Sequence, residues 1–198
     1  MRRIISIALA VAGAGFGLAL PAFADEESEF ARKGPYLGAN LIGANFVRLD
    51  EIDNDLESDP GVGFNAYGGY RLGSAVAIEL QYEMLIGTTL DLDGVSGDAG
   101  TADTTTVTGN FKFFFLQDRF QPFVVLGFGV LSRDLDDDSG QSQTGTESGF
   151  AMRYGAGLDV YITREIAASV GASYILPGGS NIEDLDYVSY GLGIQYRF

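Results

Sequence analysis

The chain has no cysteine, no histidine and no tryptophan in 198 residues. Without cysteine, no disulfide staples the fold. Without histidine, Ser-His-Asp and Cys-His nucleophilic sites and imidazole metal ligands are all excluded. Positive charge is scarce as well: 12 Lys and Arg stand against 27 Asp and Glu, a net charge of −15. Such a surface repels nucleic acid. Beyond residue 24, no apolar run reaches the roughly 18 residues of a membrane-spanning helix. The 28 glycines form no G-x-G-x-x-G fingerprint, so no nucleotide or other cofactor is called for.

What is present begins with a leader. Met1-Arg2-Arg3 is positive, Ile4 to Leu20 is apolar, and Ala22-Phe23-Ala24 is a small-x-small exit followed by Asp25-Glu26-Glu27. Residues 1–24 read as a cleaved signal peptide. A membrane anchor would want a slightly longer apolar run, and Ile4-Ile5-Ser6 lacks the rest of a twin-arginine signal. Without Arg2 and Arg3, ten basic residues face 27 acidic ones, a net charge of −17.

The remainder alternates with a period of two, the signature of strands with one oily and one polar face. Eight segments are read: 36–46, 62–71, 76–84, 104–115, 120–131, 150–161, 166–176 and 187–198. In the third, Val76, Ile78, Leu80, Tyr82 and Met84 oppose Ala77, Glu79, Gln81 and Glu83. Three connections are tight (72–74, 117–119 and 163–164), whereas 47–61, 86–103, 132–148 and 177–186 are long and polar. Short turns at one end and long loops at the other predict an all-β, eight-stranded antiparallel up-and-down transmembrane β-barrel over residues 35–198, preceded by a short periplasmic arm, 25–34. An even strand number places both termini in the periplasm. The polar arm is expected to be mobile there.

A soluble barrel would turn its large apolar residues inward. Here the opposite phase carries Gly38, Gly63, Gly69, Gly127, Gly129, Gly155, Gly157, Gly171, Gly191 and Gly193, together with Arg71, Glu79, Glu83, Lys112, Arg153, Asp159 and Arg197. That set lines a narrow polar lumen, and the membrane takes the oily face.

By this point the chain resembles the small outer-membrane barrel family, porin-like and of the OmpA-like and OmpX-like class. The resemblance is carried by Gly34-Pro35-Tyr36-Leu37-Gly38-Ala39, Gly68-Gly69-Tyr70-Arg71, Tyr154-Gly155-Ala156-Gly157-Leu158-Asp159-Val160-Tyr161 and Tyr190 to Phe198, spread over the mature chain. It implies location in the bacterial outer membrane and biogenesis through periplasmic chaperones and the barrel-assembly machinery. The assembly signal would be Tyr190, Leu192, Ile194, Tyr196 and Phe198. No peptidoglycan-binding domain is expected after Phe198, which puts cell-wall tethering in doubt.

The lumen charges admit two readings. Arg71, Glu79, Glu83, Lys112, Arg153, Asp159 and Arg197 either line an ion or solute channel or pair across a narrow interior as a plug. Unpaired buried charge is costly and eight strands leave little room, so the plug is the expected reading. Counting back along the hairpins sets Arg71 opposite Ala75, Tyr67 opposite Glu79 and Glu79 opposite Lys112. Carboxylates two apart on a strand, such as Glu79 and Glu83, need no acid–base role, and no nucleophile accompanies them, so no enzyme is expected.

Eighteen of the 27 carboxylates fall in the four long loops. Asp53 and Asp55, and Asp134 and Asp136, are oxygen donors suited to Ca²⁺ or Mg²⁺. Neither stretch has the calcium-loop spacing, so a solvated, repulsive face is expected and no metal site is assigned. Such loops would meet the anionic phosphates of lipopolysaccharide only through divalent bridges, or keep clear of them. Tyr70, Phe113, Phe120, Tyr161, Tyr196 and Phe198 are expected to form an interfacial girdle beside the outer-membrane lipid. The role is read as structural or surface-interactive, with a small channel as the alternative.

Overall fold

Alternation gives each strand one oily face, and an edge strand in lipid would leave backbone groups unpaired. Closure satisfies both constraints. The computed structural model describes residues 29–46, 61–89, 101–136, 145–178 and 186–198. Its elements are β1 (Gly34–Phe46), β2 (Gly61–Arg71), β3 (Val76–Thr89), β4 (Thr101–Phe114), β5 (Phe120–Asp136), β6 (Gly145–Tyr161), β7 (Ile166–Gly178) and β8 (Tyr187–Arg197). Each pairs antiparallel with its neighbours in sequence, and β1 closes on β8. The tight turns and both ends of the strand series lie at one end, here the turn end; the long connections lie at the other, the loop end.

Strands β3, β4, β5 and β6 run further toward the loop end than their alternation suggests, so Asp103, Asp134, Asp136 and Glu147 sit on strands rather than in loops. The main-chain ladder carries pairing past the point where side-chain alternation ends.

The outer face is apolar from turn end to loop end. Leu41, Leu80, Leu192 and Ile194 are all at least 60% exposed, beside exposed Phe111, Phe128 and Tyr190. The inner face is not uniformly polar, contrary to the reading of its glycines and charges. At the loop end Ile42, Ala44, Phe46, Leu85, Leu131, Ala151, Ile175 and Tyr187 form a buried cluster. The seven lumen charges read from the sequence lie below it, while Thr104, Arg133 and Asp186 are buried at its level or nearer the loops. Aromatic rings fill the layer nearest the turns, with Tyr36, Tyr67, Phe114 and Phe123 packed together.

Candidate functional site: the lumen network and its turn-end closure

Odd positions of β2, β3, β6 and β8 and even positions of β4 face the lumen. This phase buries all seven of the charged residues read from the sequence: Arg71, Glu79, Glu83, Lys112, Arg153, Asp159 and Arg197, none more than 8% exposed. They separate into three groups.

The first is centred on Lys112. Its Nζ donates to Asp159 Oδ2 at 2.9 Å and lies 3.6 Å from Glu79 Oε2. Ser169 Oγ donates to the other oxygen of Asp159 at 2.8 Å, and Tyr36 OH donates to Glu79 Oε2 at 2.8 Å. The ammonium also sits 3.9 Å from the centre of the Phe123 ring. The second group joins Arg153 Nη1 to Glu83 Oε2 at 3.0 Å. Tyr187 OH donates to Glu83 Oε1 at 2.9 Å, and Arg153 Nε to Thr108 Oγ1 at 3.2 Å. These bonds link β3 with β6 and with β8, three strands away around the ring, so they cross the lumen. Between the groups lies a cavity of about 60 Å³, lined by Asn40, Asn65, Gln81, Lys112, Arg153 and Ser169 among others. At roughly 10–15 Å³ per water, it has room for a few waters and is too small to be a solute path.

In the third group, Arg71 and Arg197 bond neutral acceptors at the turn end. Arg71 donates to Gln121 Oε1 at 2.7 Å and to the carbonyls of Gly73 and Ser74. Arg197 donates to the carbonyls of Phe30 (2.5 Å), Glu29 (3.2 Å) and Arg164 (2.6 Å). Residues 29–33 are thereby drawn under the barrel as a strap. Gln121 Nε2 adds a bond to Phe30 O at 2.9 Å, the Phe30 ring packs 5.7 Å from Tyr161, and Arg164 pairs with Glu29. Ala31 is 3% exposed, and so this part of the arm is held in place. Gly34, with φ of 148°, makes the bend into β1, a conformation side chains disfavour.

The register differs from the hairpin count. Arg71 lies opposite Ala77, not Ala75, and Tyr67 opposite Gln81, not Glu79. The turn is two residues wider because Arg71 wraps its carbonyls and Leu72 N closes on Val76 O. Glu79 lies opposite Asn110, not Lys112, which reaches it diagonally from opposite Ala77. Tyr161 leaves the proposed girdle: it points inward, 1% exposed, beneath the Arg197 guanidinium. Tyr70, Phe113, Phe120, Tyr196 and Phe198 do face outward.

Tyr190, Leu192, Ile194, Tyr196 and Phe198 share the outer face of the last strand, and Phe198 N donates to Pro35 O at 3.1 Å. Asp53 and Asp55 lie outside the described residues. Asp134 and Asp136 lie on β5, but their side chains are outside the described set. The partners of the seven charges not anticipated from the sequence include Tyr36, Tyr187, Thr108, Gln121, Ser169 and Phe30. Strand parity marks all but Phe30 as inward. Arg133, also not anticipated, lies opposite Glu147 in the β5–β6 register.

Two further observations come from known proteins. The family model described as "Outer membrane protein beta-barrel domain" matches residues 8–198. Among solved structures, the chain resembles OprG from Pseudomonas aeruginosa (TM-score 0.65, 14% identity, covering 86% of this chain and 98% of that one). It also resembles Neisserial surface protein A (0.63, 13%, 83% and 97%). A third is Ail of Yersinia pestis, solved in complex with the heparin analogue sucrose octasulfate (0.55, 16%, 84% and 99%). At these identities the likeness speaks to the fold. No curated protein matches the chain by sequence.

Proposed function

The chain belongs to the outer membrane protein beta-barrel domain family, and on that premise we propose that it is a non-enzymatic, non-conducting surface protein of the bacterial outer membrane. The turn end faces the periplasm and the acidic loops face the exterior. Residues 1–24 are the cleaved signal peptide, and the outer face of β8 ending in Phe198 is the signal read during assembly.

The observation that carries the reading is the twofold closure of the lumen. The apolar cluster seals the loop end, the strap of residues 29–33 covers the turn end, and ion pairs bridge the walls between them. A porin-like channel would require both closures to open and the cross-lumen pairs to part. The carboxylates concentrated in the long loops and on the strand ends that lead into them favour cationic or cation-bridged partners over sulfated polyanions.

The test is a planar-bilayer recording of the purified barrel, with its folding checked by a shift of gel mobility on heating. A silent bilayer at high protein load is expected; reproducible unitary steps would replace this reading with the channel.

A further inference from the structure

Of the chain's three methionines, Met1 starts the sequence and the other two, Met84 and Met152, lie on β3 and β6. Both point outward, and both side chains are half-buried in the lipid-facing wall. Each has a tyrosine two residues away on the same face. Tyr82 OH donates to Met84 Sδ at 3.7 Å, and Tyr154 OH to Met152 Sδ at 3.5 Å. Each also has a phenylalanine beside it on the ladder, Phe64 for Met84 and Phe128 for Met152. The two sites share one depth. Followed once round the barrel, the ladder partners of Val76 lead to Ile86, a climb of ten residues over eight strands. Three strands climb about four residues. From Met84 the ladder passes Thr105 and Ser132 to Ser148 on β6, and Met152 lies four residues nearer the turn end on that strand. Ile86 and Phe150, both exposed on the outer face, lie nearer the loop end than either sulfur. The pairs therefore sit within the apolar band and not at its rim.

We propose that Met84 and Met152 are oxidation sites at which a membrane-borne alkyl hydroperoxide transfers one oxygen to the thioether, with Tyr82 and Tyr154 relaying the proton and holding the product. The thioether lone pair attacks the terminal oxygen of ROOH. The S–O bond forms as the O–O bond breaks; sulfur is oxidised by two electrons to the sulfoxide, and the peroxide is reduced to the alcohol ROH. The phenol passes its proton to the departing alkoxide oxygen and recovers one from the hydroxyl now bonded to sulfur, so the tyrosine is regenerated. Thioether sulfur is a weak acceptor, whereas oxidation makes the side chain polar. In the apolar band no water bonds the new oxygen, and an unbonded polar group there is costly. The hydroxyl already aimed at each sulfur is the donor the product needs. Its hydrogen bond strengthens as the S–O bond forms, which is the condition for accelerating the step. The location also selects the oxidant, since an alkyl hydroperoxide enters hydrocarbon and a charged oxidant does not. The inference rests on the outer face meeting lipid and is independent of whether the lumen conducts.

The experiment treats the full mature barrel, in vesicles of saturated phosphatidylcholine, with cumene hydroperoxide. Mass spectrometry follows the gain of one oxygen at each methionine over time. Each pair serves as the other's control. Tyr82→Phe keeps the ring that packs against Phe64 and removes only the hydroxyl. It should slow oxidation of Met84 about fivefold, the ratio for the ~1 kcal/mol of one hydrogen bond, and leave Met152 unchanged. Tyr154→Phe should do the reverse. In the urea-unfolded chain neither substitution should alter either rate. Each variant is first checked for the shift of gel mobility on heating that marks a folded barrel. After complete oxidation, Y82F/Y154F should lose more of its urea midpoint than the oxidised parent, because its sulfoxides lack their donors. Unchanged or faster oxidation of Met84 in Tyr82→Phe refutes the proposal, since the phenol would then be inert or would shield the sulfur. Equal slowing of both sites by one substitution also refutes it, as do equal midpoint losses in the oxidised parent and double variant. Each of these failures leaves the barrel assignment and the closed lumen intact.

Discussion

Replacing Lys112 by Met should destabilise the barrel far more than a surface change, and neutralising its partners should undo most of the loss. Lys112 is 2% exposed and lies between two buried carboxylates, Asp159 at 2.9 Å and Glu79 at 3.6 Å. Removing the ammonium leaves Asp159 with Ser169 and Glu79 with Tyr36 as their remaining side-chain donors. Breaking a buried pair in this way costs about 3–5 kcal/mol, because the surviving charge stays buried without its counter-ion. Loss of the contact with Phe123 acts in the same direction. A change of ~4 kcal/mol shifts the folding equilibrium nearly a thousandfold. With a urea slope of about 2 kcal/mol/M, the midpoint falls by about 2 M. The assay is urea unfolding in lipid vesicles, followed by far-ultraviolet circular dichroism and gel mobility. The triple variant K112M/E79Q/D159N keeps the volume and the neutral hydrogen bonds but removes all three charges, and it should recover more than half the loss. A single-variant cost below about 1 kcal/mol would refute the buried ion-pair account, since that is the ordinary range of an exposed pair. A triple variant no better than K112M would show that packing, not charge, sets the cost.

The turn-end strap makes its own prediction. Arg197→Ala removes three bonds to main-chain carbonyls and should accelerate proteolytic cleavage within residues 29–33 at least tenfold, the ratio for about 1.4 kcal/mol of local opening; unchanged cleavage would mean the strap is held elsewhere. Gly34→Ala strains the bend at φ 148° and should cost about 1–3 kcal/mol, read as a lower urea midpoint; no shift would remove the hinge. Gly38→Val places a side chain where the Tyr67 ring lies and should cost about 1–3 kcal/mol by overpacking, with recovery in G38V/Y67A as the check. Phe198→Ala should slow assembly into the membrane more than it lowers the stability of the folded barrel; unchanged assembly kinetics would count against the signal.

The architecture was legible because it rests on parity. A strand embedded between lipid and a narrow lumen must alternate, and the alternation at Val76 to Met84 or Val188 to Phe198 survives without reference to any partner. The same parity placed all seven lumen charges inward. Parity is silent on depth, so it could not show that Ile42, Leu131 and Ile175 gather at the loop end while the charges lie below. It is silent on segments outside strands, so the arm read as loose polar chain. Phe30 and Ala31 are its apolar residues; Phe30 packs against the Tyr161 ring and Ala31 is buried, and with the bonds to the arm's carbonyls they fasten it. Tyr161 was misplaced for a related reason: its position at a strand end suggested the girdle, but odd positions of β6 point inward.

Register was the least legible property, and its physical basis explains why. A slip of two residues leaves every side chain on its proper face, so the oily pattern is indifferent to it. Size and charge are not. Tyr67 lies opposite Gly38, and Tyr36 opposite Gly69; a Cβ at either glycine would overlap the facing ring. Slipping β1 against β2 by two residues would set at least one ring against a side chain. Lys112 lies between Ala77 and Val125 on its neighbouring strands, which lets it reach diagonally to Glu79 and beyond β5 to Asp159. Slipping β4 would bring the ammonium out of reach of one carboxylate or the other. Buried ion pairs contribute little net stability over well-packed apolar groups. Their value in this barrel is discrimination: they penalise the registers that the lipid face cannot distinguish. The wide β2–β3 turn follows the same logic, since Arg71 reaches the carbonyls of Gly73 and Ser74 only when Ala77, rather than Ala75, lies opposite it.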